Sequence, residues 1–109
     1  MSLITVTPKF DAFVKFCSEQ DPTNAIYHLG GYDQCAIGAF TTAVEGRFVD
    51  DAFEVAYEIV DELEVVSKNL GEQFIQKVGN GAKHPDIATY GGMDQWLHQF
   101  QHKVVEAAQ

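Results

Sequence analysis

Hydrophobic residues recur with a helical period along four stretches of the chain. Between Pro8 and about Glu19 they lie at positions i, i+3, i+4 and i+7, within about 100° of one side of a helix. These residues are Phe10, Phe13, Val14 and Cys17. Thr7 is placed to be the N-cap, and proline suits the first helical position. We therefore predict a first helix whose inner side includes Cys17.

The second helical stretch begins at Asp33 as N-cap and runs to about Val44. Its apolar side consists of Ala36, Ile37, Ala39, Phe40 and Ala43. Gly38 inside this helix costs about 1 kcal/mol relative to alanine, which indicates that another backbone packs closely there. The pair Glu45-Gly46 is expected to end the helix.

The strongest helical pattern starts at Asp51, which forms a D-x-x-E variant of the capping box with Glu54. Apolar residues then recur on one side of the helix, at Phe53, Ala56, Tyr57, Val60 and Leu63. The same side continues further along the chain, although Glu64 and Gly71 fall at its centre. We therefore predict a kink or break between Ser67 and Gly71.

The last predicted helix runs from about Asp94 to Glu106, with Met93, Trp96, Leu97, Phe100 and Val104 on its apolar side. The five residues 30–34 match residues 91–95 in a GG-x-DQ pattern. We interpret this repeat as one way of starting a helix used twice, a flexible glycine pair followed by an aspartate N-cap.

These stretches predict a mainly α, bundle-like single domain of four or five helices over residues 1–109. The segments Ala25 to Leu29 and Ile87 to Tyr90 leave open a minor two-stranded element. The longest uninterrupted apolar run is too short to cross a membrane, and the first residues lack a secretory signal. Two cysteines fit a reducing compartment, so we expect a cytoplasmic protein without disulfides.

Negative charge is concentrated in one part of the chain. Asp and Glu number 16 against 7 Lys and Arg, for a net charge of −9, which argues against direct binding to nucleic acid. Residues 50–64 contain seven acids and no Lys or Arg. Five of these acids share one side of the third predicted helix, about 100° wide: Asp51, Glu54, Glu58, Asp61 and Glu62.

This acidic stripe is the main functional signal in the sequence. Like charges at i, i+4, such as Glu54 and Glu58, destabilise a helix by a few tenths of a kcal/mol, and no lysine at i, i+4 relieves them. The pattern therefore favours a non-catalytic module that binds a basic protein through this face. In that case its carboxylates would resemble nucleic-acid phosphates. The alternative is an ordinary solvated face that keeps a small protein soluble.

Cys35 supports a second hypothesis, a small thiol enzyme. At position N2 of the second helix, its sulfur would lie near unpaired backbone N–H groups, and His28 or His84 could act as its base. The alternative is a small residue flanking the packed face. His98 and His102 have the i, i+4 spacing of metal ligands but face away from the apolar side, so we predict neither a metal nor a cofactor. A third hypothesis is a structural component that oligomerises through surplus apolar surface.

The sequence YDQCAIGAF at residues 32–40 resembles a motif of small uncharacterised bacteriophage proteins, in which Tyr and Asp precede Cys-Ala-Ile/Leu and an aromatic residue. The resemblance extends over roughly residues 21–42. It implies a phage or prophage setting and transfers no activity or site residues. Together with the acidic stripe, it leads us to expect a phage-type inhibitor or modulator of a basic host protein.

Overall fold

Five α-helices pack around one apolar core in a computed structural model that describes residues 6–26, 35–79 and 84–109. The helices are α1 (Pro8–Ser18), α2 (Ala36–Ala43), α3 (Ala52–Val66), α4 (Lys68–Gly79) and α5 (Tyr90–Ala108). Single 3₁₀ turns, Val49–Asp51 and Pro85–Ile87, precede α3 and α5. The radius of gyration, 13.0 Å, is that of one globular unit of this length. The predicted mainly α, bundle-like single domain is confirmed.

The two segments that we considered as strands meet at a single point. Ala25 and Thr89 form an isolated antiparallel bridge, flanked by hydrogen bonds from the Ile26 N–H to the Ala88 carbonyl and from the Tyr90 N–H to the Asn24 carbonyl. Within the described ranges this bridge is the whole of the β-structure, and residues 27–29 lie outside them. None of the helices in those ranges is long and apolar enough to span a bilayer.

The first helix forms as its pattern predicts. Its inner side, Phe10, Phe13, Val14 and Cys17, is buried, and Phe16 is buried with it. Five phenylalanine rings form the centre of the core: Phe10, Phe13, Phe40, Phe74 and Phe100. The Phe10 ring meets the rings of Phe74 and Phe100 edge-on at centroid distances of 6.0 and 5.8 Å. Such contacts join α1 to α4 and α5 through aromatic packing.

The predicted break between Ser67 and Gly71 is confirmed. Ser67 has an extended backbone (φ −162°, ψ 133°), and it separates α3 from α4. Glu64 is exposed within α3, on the side of the helix that also carries the exposed Tyr57. Gly71 then packs against α3, where an added Cβ would lie 3.1 Å from the Val60 Cγ1 atom and 2.6 Å from the Glu64 Cγ atom. The glycine therefore permits the two helices to approach each other closely.

The second helix is shorter at its start than we predicted. It begins at Ala36 with Cys35 as the N-cap residue, and the predicted N-cap, Asp33, lies outside the described residues. Its end agrees with the prediction, because Gly46 has a left-handed backbone (φ 65°) that ends the turn after Ala43.

The last helix begins earlier than we predicted. Thr89 is its N-cap, with a side chain that accepts a hydrogen bond from the Gly92 N–H, so the prediction of an Asp94 N-cap is wrong. Gly91 and Gly92 lie inside the first turn. A Cβ at Gly92 would overlap the backbone carbonyl of Asp86, so the glycine is needed for a close approach and not for a flexible lead-in.

Candidate functional site: the exposed face of α3

The acidic stripe lies on the outer side of α3, opposite the residues that α3 buries. The buried residues are Ala52, Val55, Ala56, Ile59, Val60 and Leu63. Of the five predicted site residues, Glu54 and Asp61 are exposed, whereas Asp51, Glu58 and Glu62 are partly buried. The five carboxylates therefore share a side, as the sequence predicts, but their surroundings differ.

Arg47 connects three of these carboxylates. Its guanidinium nitrogens lie 3.3 Å from Asp51 Oδ2, 2.9 Å from Glu54 Oε2 and 2.8 Å from Glu58 Oε1. Arg47 lies in the connector between α2 and α3, seven residues before Glu54, so helical spacing within α3 does not reveal it. We call Arg47 with Asp51, Glu54 and Glu58 the Arg47 cluster.

Lys9 provides a second positive charge from α1. Its ammonium lies 2.8 Å from Glu45 Oε1 and 2.9 Å from Glu58 Oε1. The hydrogen bond to Glu45, with a smaller effect of Glu58, raises the Lys9 pKa. The hydrogen bond from Lys9, followed by that from Arg47, lowers the pKa of Glu58. No lysine at i, i+4 relieves the repulsion along α3, as the sequence indicates, but two bases from other parts of the fold do.

Glu62 has a structural role at the start of α1. Its carboxylate accepts hydrogen bonds from the backbone N–H groups of Lys9, at 3.0 and 2.9 Å, and of Phe10, at 2.9 Å. These N–H groups belong to the first turn of α1, where a helix leaves donors unpaired. Thr7 precedes the helix as predicted, but its hydroxyl donates to Asp11 and makes no cap hydrogen bond. Glu62 is thus the acceptor that the α1 terminus uses.

The predicted capping box at the start of α3 does not form. Asp51 makes no side-chain cap hydrogen bond there, and both Asp51 and Glu54 turn to Arg47 instead. A charged guanidinium is a stronger hydrogen-bond donor for a carboxylate than a backbone N–H group, which explains the exchange of partners.

Three aromatic side chains beside the acids are exposed, which the sequence analysis missed. Phe48, Phe53 and Tyr57 are 84%, 59% and 54% exposed. We assigned Phe53 and Tyr57 to the buried side of the helix, and this is wrong. The signal for the true side was present in the aliphatic residues, because Ala52, Val55, Ala56, Ile59, Val60 and Leu63 follow the ideal i, i+3, i+4 spacing.

The exposed side of α3 carries Phe53, Glu54, Tyr57 and Asp61 at adjoining positions. Phe53 and Tyr57 are neighbours at i, i+4 on α3, and Phe48 immediately precedes the 3₁₀ turn that leads into the helix. Glu54 and Asp61 lie next to Phe53 and Tyr57 around the helix axis, further from the buried side of α3. We call Phe48, Phe53, Tyr57, Glu54 and Asp61 the aromatic–acidic face.

The thiol-enzyme hypothesis requires a histidine, either His28 or His84, next to the thiol of Cys35. Cys35 is 7% exposed, and it is the N-cap of α2, not its N2 residue as we predicted. His28 lies outside the described residues. His84 lines a groove between α4 and α5, and Cys35 is not among the residues lining that groove. The thiol enzyme stays a prediction, which alkylation rates of Cys35 and Cys17 would test.

Other candidate ligands do not converge. Among the residues that the structure describes, no group of three His, Cys, Asp or Glu side chains could hold a metal ion. His98 is exposed and lies 3.5 Å from Asp94, one turn earlier on α5. Burial raises the pKa of the Cys17 thiol, which makes this core cysteine a poor nucleophile.

No protein-family model, curated protein or solved structure matches the chain. The resemblance to bacteriophage proteins at residues 32–40 stays a prediction.

Proposed function

We propose that the protein is a non-catalytic binding module that engages a basic protein through the aromatic–acidic face. The observation that carries this proposal is the exposure of Phe48, Phe53 and Tyr57 beside the exposed carboxylates of Glu54 and Asp61. Aromatic side chains that are exposed to water are unfavourable unless a partner covers them, and such side chains are enriched where proteins bind one another.

The charge around the face supports a basic partner. Residues 50–64 hold seven acids, and the ion pairs with Lys9 and Arg47 offset two of these charges. The side chain of Glu54 is 72% exposed even though it contacts Arg47, so its carboxylate remains accessible to a second cation. A surplus of negative charge steers a positively charged surface toward the face, and the aromatic rings supply contact area once it arrives.

Such a partner is a protein with lysine and arginine on its surface, for example one whose own function is to bind nucleic acid. A module that covers this surface would inhibit or modulate the partner, which agrees with the expectation from the phage resemblance. Arginine fits the face well, because its guanidinium pairs with carboxylates and stacks on aromatic rings.

Differential capture tests the proposal. The wild-type protein and two double variants, Glu54→Lys with Asp61→Lys and Phe53→Ser with Tyr57→Ser, are used to capture proteins from a host lysate, and the captured proteins are quantified. We expect basic proteins that the wild-type protein retains and that both variants lose. Retention should fall steeply as salt is raised, because the exposed charges are screened.

The matched control reverses two exposed acids elsewhere, Glu19→Lys at the residue that follows α1 and Glu106→Lys on α5. It changes the net charge by the same amount as the first double variant and should keep the captured proteins. Equal losses in the control and in the α3 variants would refute the proposal, because net charge alone would then explain the binding.

A further inference from the structure

A groove on another side of the molecule differs in chemistry from the acidic face. It lies between α4 and α5, next to the 3₁₀ turn Pro85–Ile87, and has a volume of about 270 Å³. Its lining consists of Gln73, Gln76, Lys77, His84, Trp96 and Lys103. We call it the donor groove, since each of these side chains can donate a hydrogen bond.

Among the residues that the structure describes, the lining contains no carboxylate, although the carboxylate of Asp86 pairs with the lining residue Lys77. The whole chain, by contrast, has 16 acids and only seven Lys and Arg residues. Two of the seven bases, Lys77 and Lys103, face this one groove. Lysine, histidine and glutamine donors around a small space are suited to the oxygens of an anion, and lysine acts as a point charge for phosphate. The groove is therefore suited to an anionic ligand in an otherwise acidic protein.

Lys77 is held in place before any ligand arrives. Its ammonium lies 2.8 Å from Asp86 Oδ2 and 5.9 Å from the centre of the Trp96 ring. Trp96 in turn stacks on Phe100, with a centroid distance of 4.9 Å and an interplanar angle of 11°. An ammonium has three N–H donors, and Asp86 uses one of them. An ordered donor loses less conformational entropy on binding than a mobile one does.

We infer that the donor groove binds a phosphate group, either as the free ion or at the end of a small organic molecule. Its volume is below the usual range of about 300–1,000 Å³ for ligand pockets, which excludes a large cofactor. Lys77 and Lys103 supply the positive charge, and His84 with the two glutamines supplies further N–H donors. This inference is independent of the function proposed for α3, since the two surfaces share no residue.

The single tryptophan makes the test direct, because Trp96 is the only one in the chain and lines the groove. Its fluorescence is followed while inorganic phosphate or glycerol phosphate is added to the full chain at constant ionic strength, with sodium chloride as the reference. We expect a saturable change with half-saturation near or below about 1 mM, which corresponds to a weak specific site. A change that is absent, that does not saturate or that chloride reproduces would overturn the inference.

The two probes distinguish the source of the phosphate. Tighter binding of glycerol phosphate indicates an organic phosphate as the ligand, whereas equal or tighter binding of inorganic phosphate indicates the free ion. Both results support the site, because each requires the phosphate group to be bound.

Variants at Lys103 and at Asp86, the partner of Lys77, should change the affinity for phosphate in opposite directions. Lys103→Met should weaken phosphate binding by about fivefold or more, whereas Lys15→Met, at an exposed lysine of α1, should leave it unchanged. Asp86→Asn should strengthen binding, because it removes the carboxylate that competes for Lys77. Equal effects of Lys103→Met and Lys15→Met, or equal or weaker binding in Asp86→Asn, would contradict the inference. Far-UV circular dichroism confirms that each variant is folded.

Discussion

The starts of α1 and α5 are fixed by two junctions that are built in opposite ways. At α1, the Glu62 carboxylate accepts hydrogen bonds from the backbone N–H groups of Lys9 and Phe10. The side chain of Lys9 also forms ion pairs there. At α5, two glycines let the first turn press against other backbone, with Gly92 facing the Asp86 carbonyl and Gly91 facing Pro22. The first junction depends on charged side chains and the second on the absence of side chains.

This difference determines how each junction responds to change. Charged side chains are flexible and partly exposed, so they rearrange, and salt and pH alter their interactions. Backbone that contacts backbone has no side chain that can move away, and a single added carbon forces the chain to shift. We therefore expect steric changes at α5 to be large and independent of salt, and charge changes near α1 to be smaller and dependent on solution conditions.

The largest effect is expected for Gly92→Ala. The added Cβ overlaps the Asp86 carbonyl, so the first turn of α5 or the preceding 3₁₀ turn must move, at a cost of about 3 kcal/mol. Urea unfolding followed by circular dichroism measures this loss. Gly79→Ala is the matched control, because its Cβ would make ordinary contact with Ile75 at 3.4 Å, and a change within about 0.5 kcal/mol is expected. Equal losses in the two variants would contradict the steric account.

The next effect is expected for Glu62→Ala, which removes the acceptor at the start of α1. The loss of these hydrogen bonds should lower the free energy of unfolding by about 1–2 kcal/mol, as for other helix caps. Hydrogen exchange of the Lys9 and Phe10 amides should become faster, which locates the loss. Asp61→Ala changes the exposed acid next to it in the sequence and should leave both measurements nearly unchanged. Unchanged exchange of both amides in Glu62→Ala would rule out the capping role.

A smaller effect is expected for Arg47→Ala. The variant leaves Asp51, Glu54 and Glu58 without their shared guanidinium, so the carboxylates repel one another. At low salt we expect the free energy of unfolding to fall by less than it does in Glu62→Ala. The loss should become smaller still in about 1 M salt, because the Debye length is then only about 3 Å and the charges are screened. Lys15→Ala is the control at an exposed lysine. A loss of the same size at both salt concentrations would mean that Arg47 acts through packing and not through charge.

The smallest effect is the dependence of stability on pH at Glu58. Lys9 and Arg47 lower its pKa in the folded protein, so Glu58 stabilises the fold above its ordinary pKa of 4.5, and this contribution is lost as pH falls through the lower folded value. The side chain is 41% exposed, and solvent screening keeps the contribution small.

The contribution of Glu58 is measured by comparing the free energy of unfolding of the wild type with that of Glu58→Gln over a range of pH. The wild type should be the more stable of the two at neutral pH, and the difference should shrink below pH 4.5. Glu19→Gln, at the exposed acid that follows α1, is the control. A difference that is constant from neutral to acidic pH would exclude the ion pairs as its source.

The parts of the fold that depend on neighbours in the sequence could be predicted. The buried side of α1 follows from the spacing of Phe10, Phe13, Val14 and Cys17, and the break at Ser67 follows from the positions of Glu64 and Gly71. Both features depend on residues that are close together in the chain, where the helical spacing alone relates one side chain to the next.

The inner side of α3 could have been predicted but was not, because two apolar patterns overlap on this helix. One includes Phe53 and Tyr57, and the other includes Val55 and Ile59, which are fully buried. Large aromatic side chains suggested the first pattern, whereas the packed helix uses the second, where small Ala52 and Ala56 allow close contact. The size of a side chain is thus a poorer guide here than regular spacing.

The sequence by itself determined the helical stretches and the concentration of acids in residues 50–64, because helical period and local charge depend only on residues close together in the chain. Only the tertiary structure decided how those acids are used. Lys9 meets Glu58 across 49 residues of sequence, and the α1 backbone meets Glu62 across 52 and 53. Such contacts arise when helices pack, since no spacing within one helix specifies which distant charge will lie beside it.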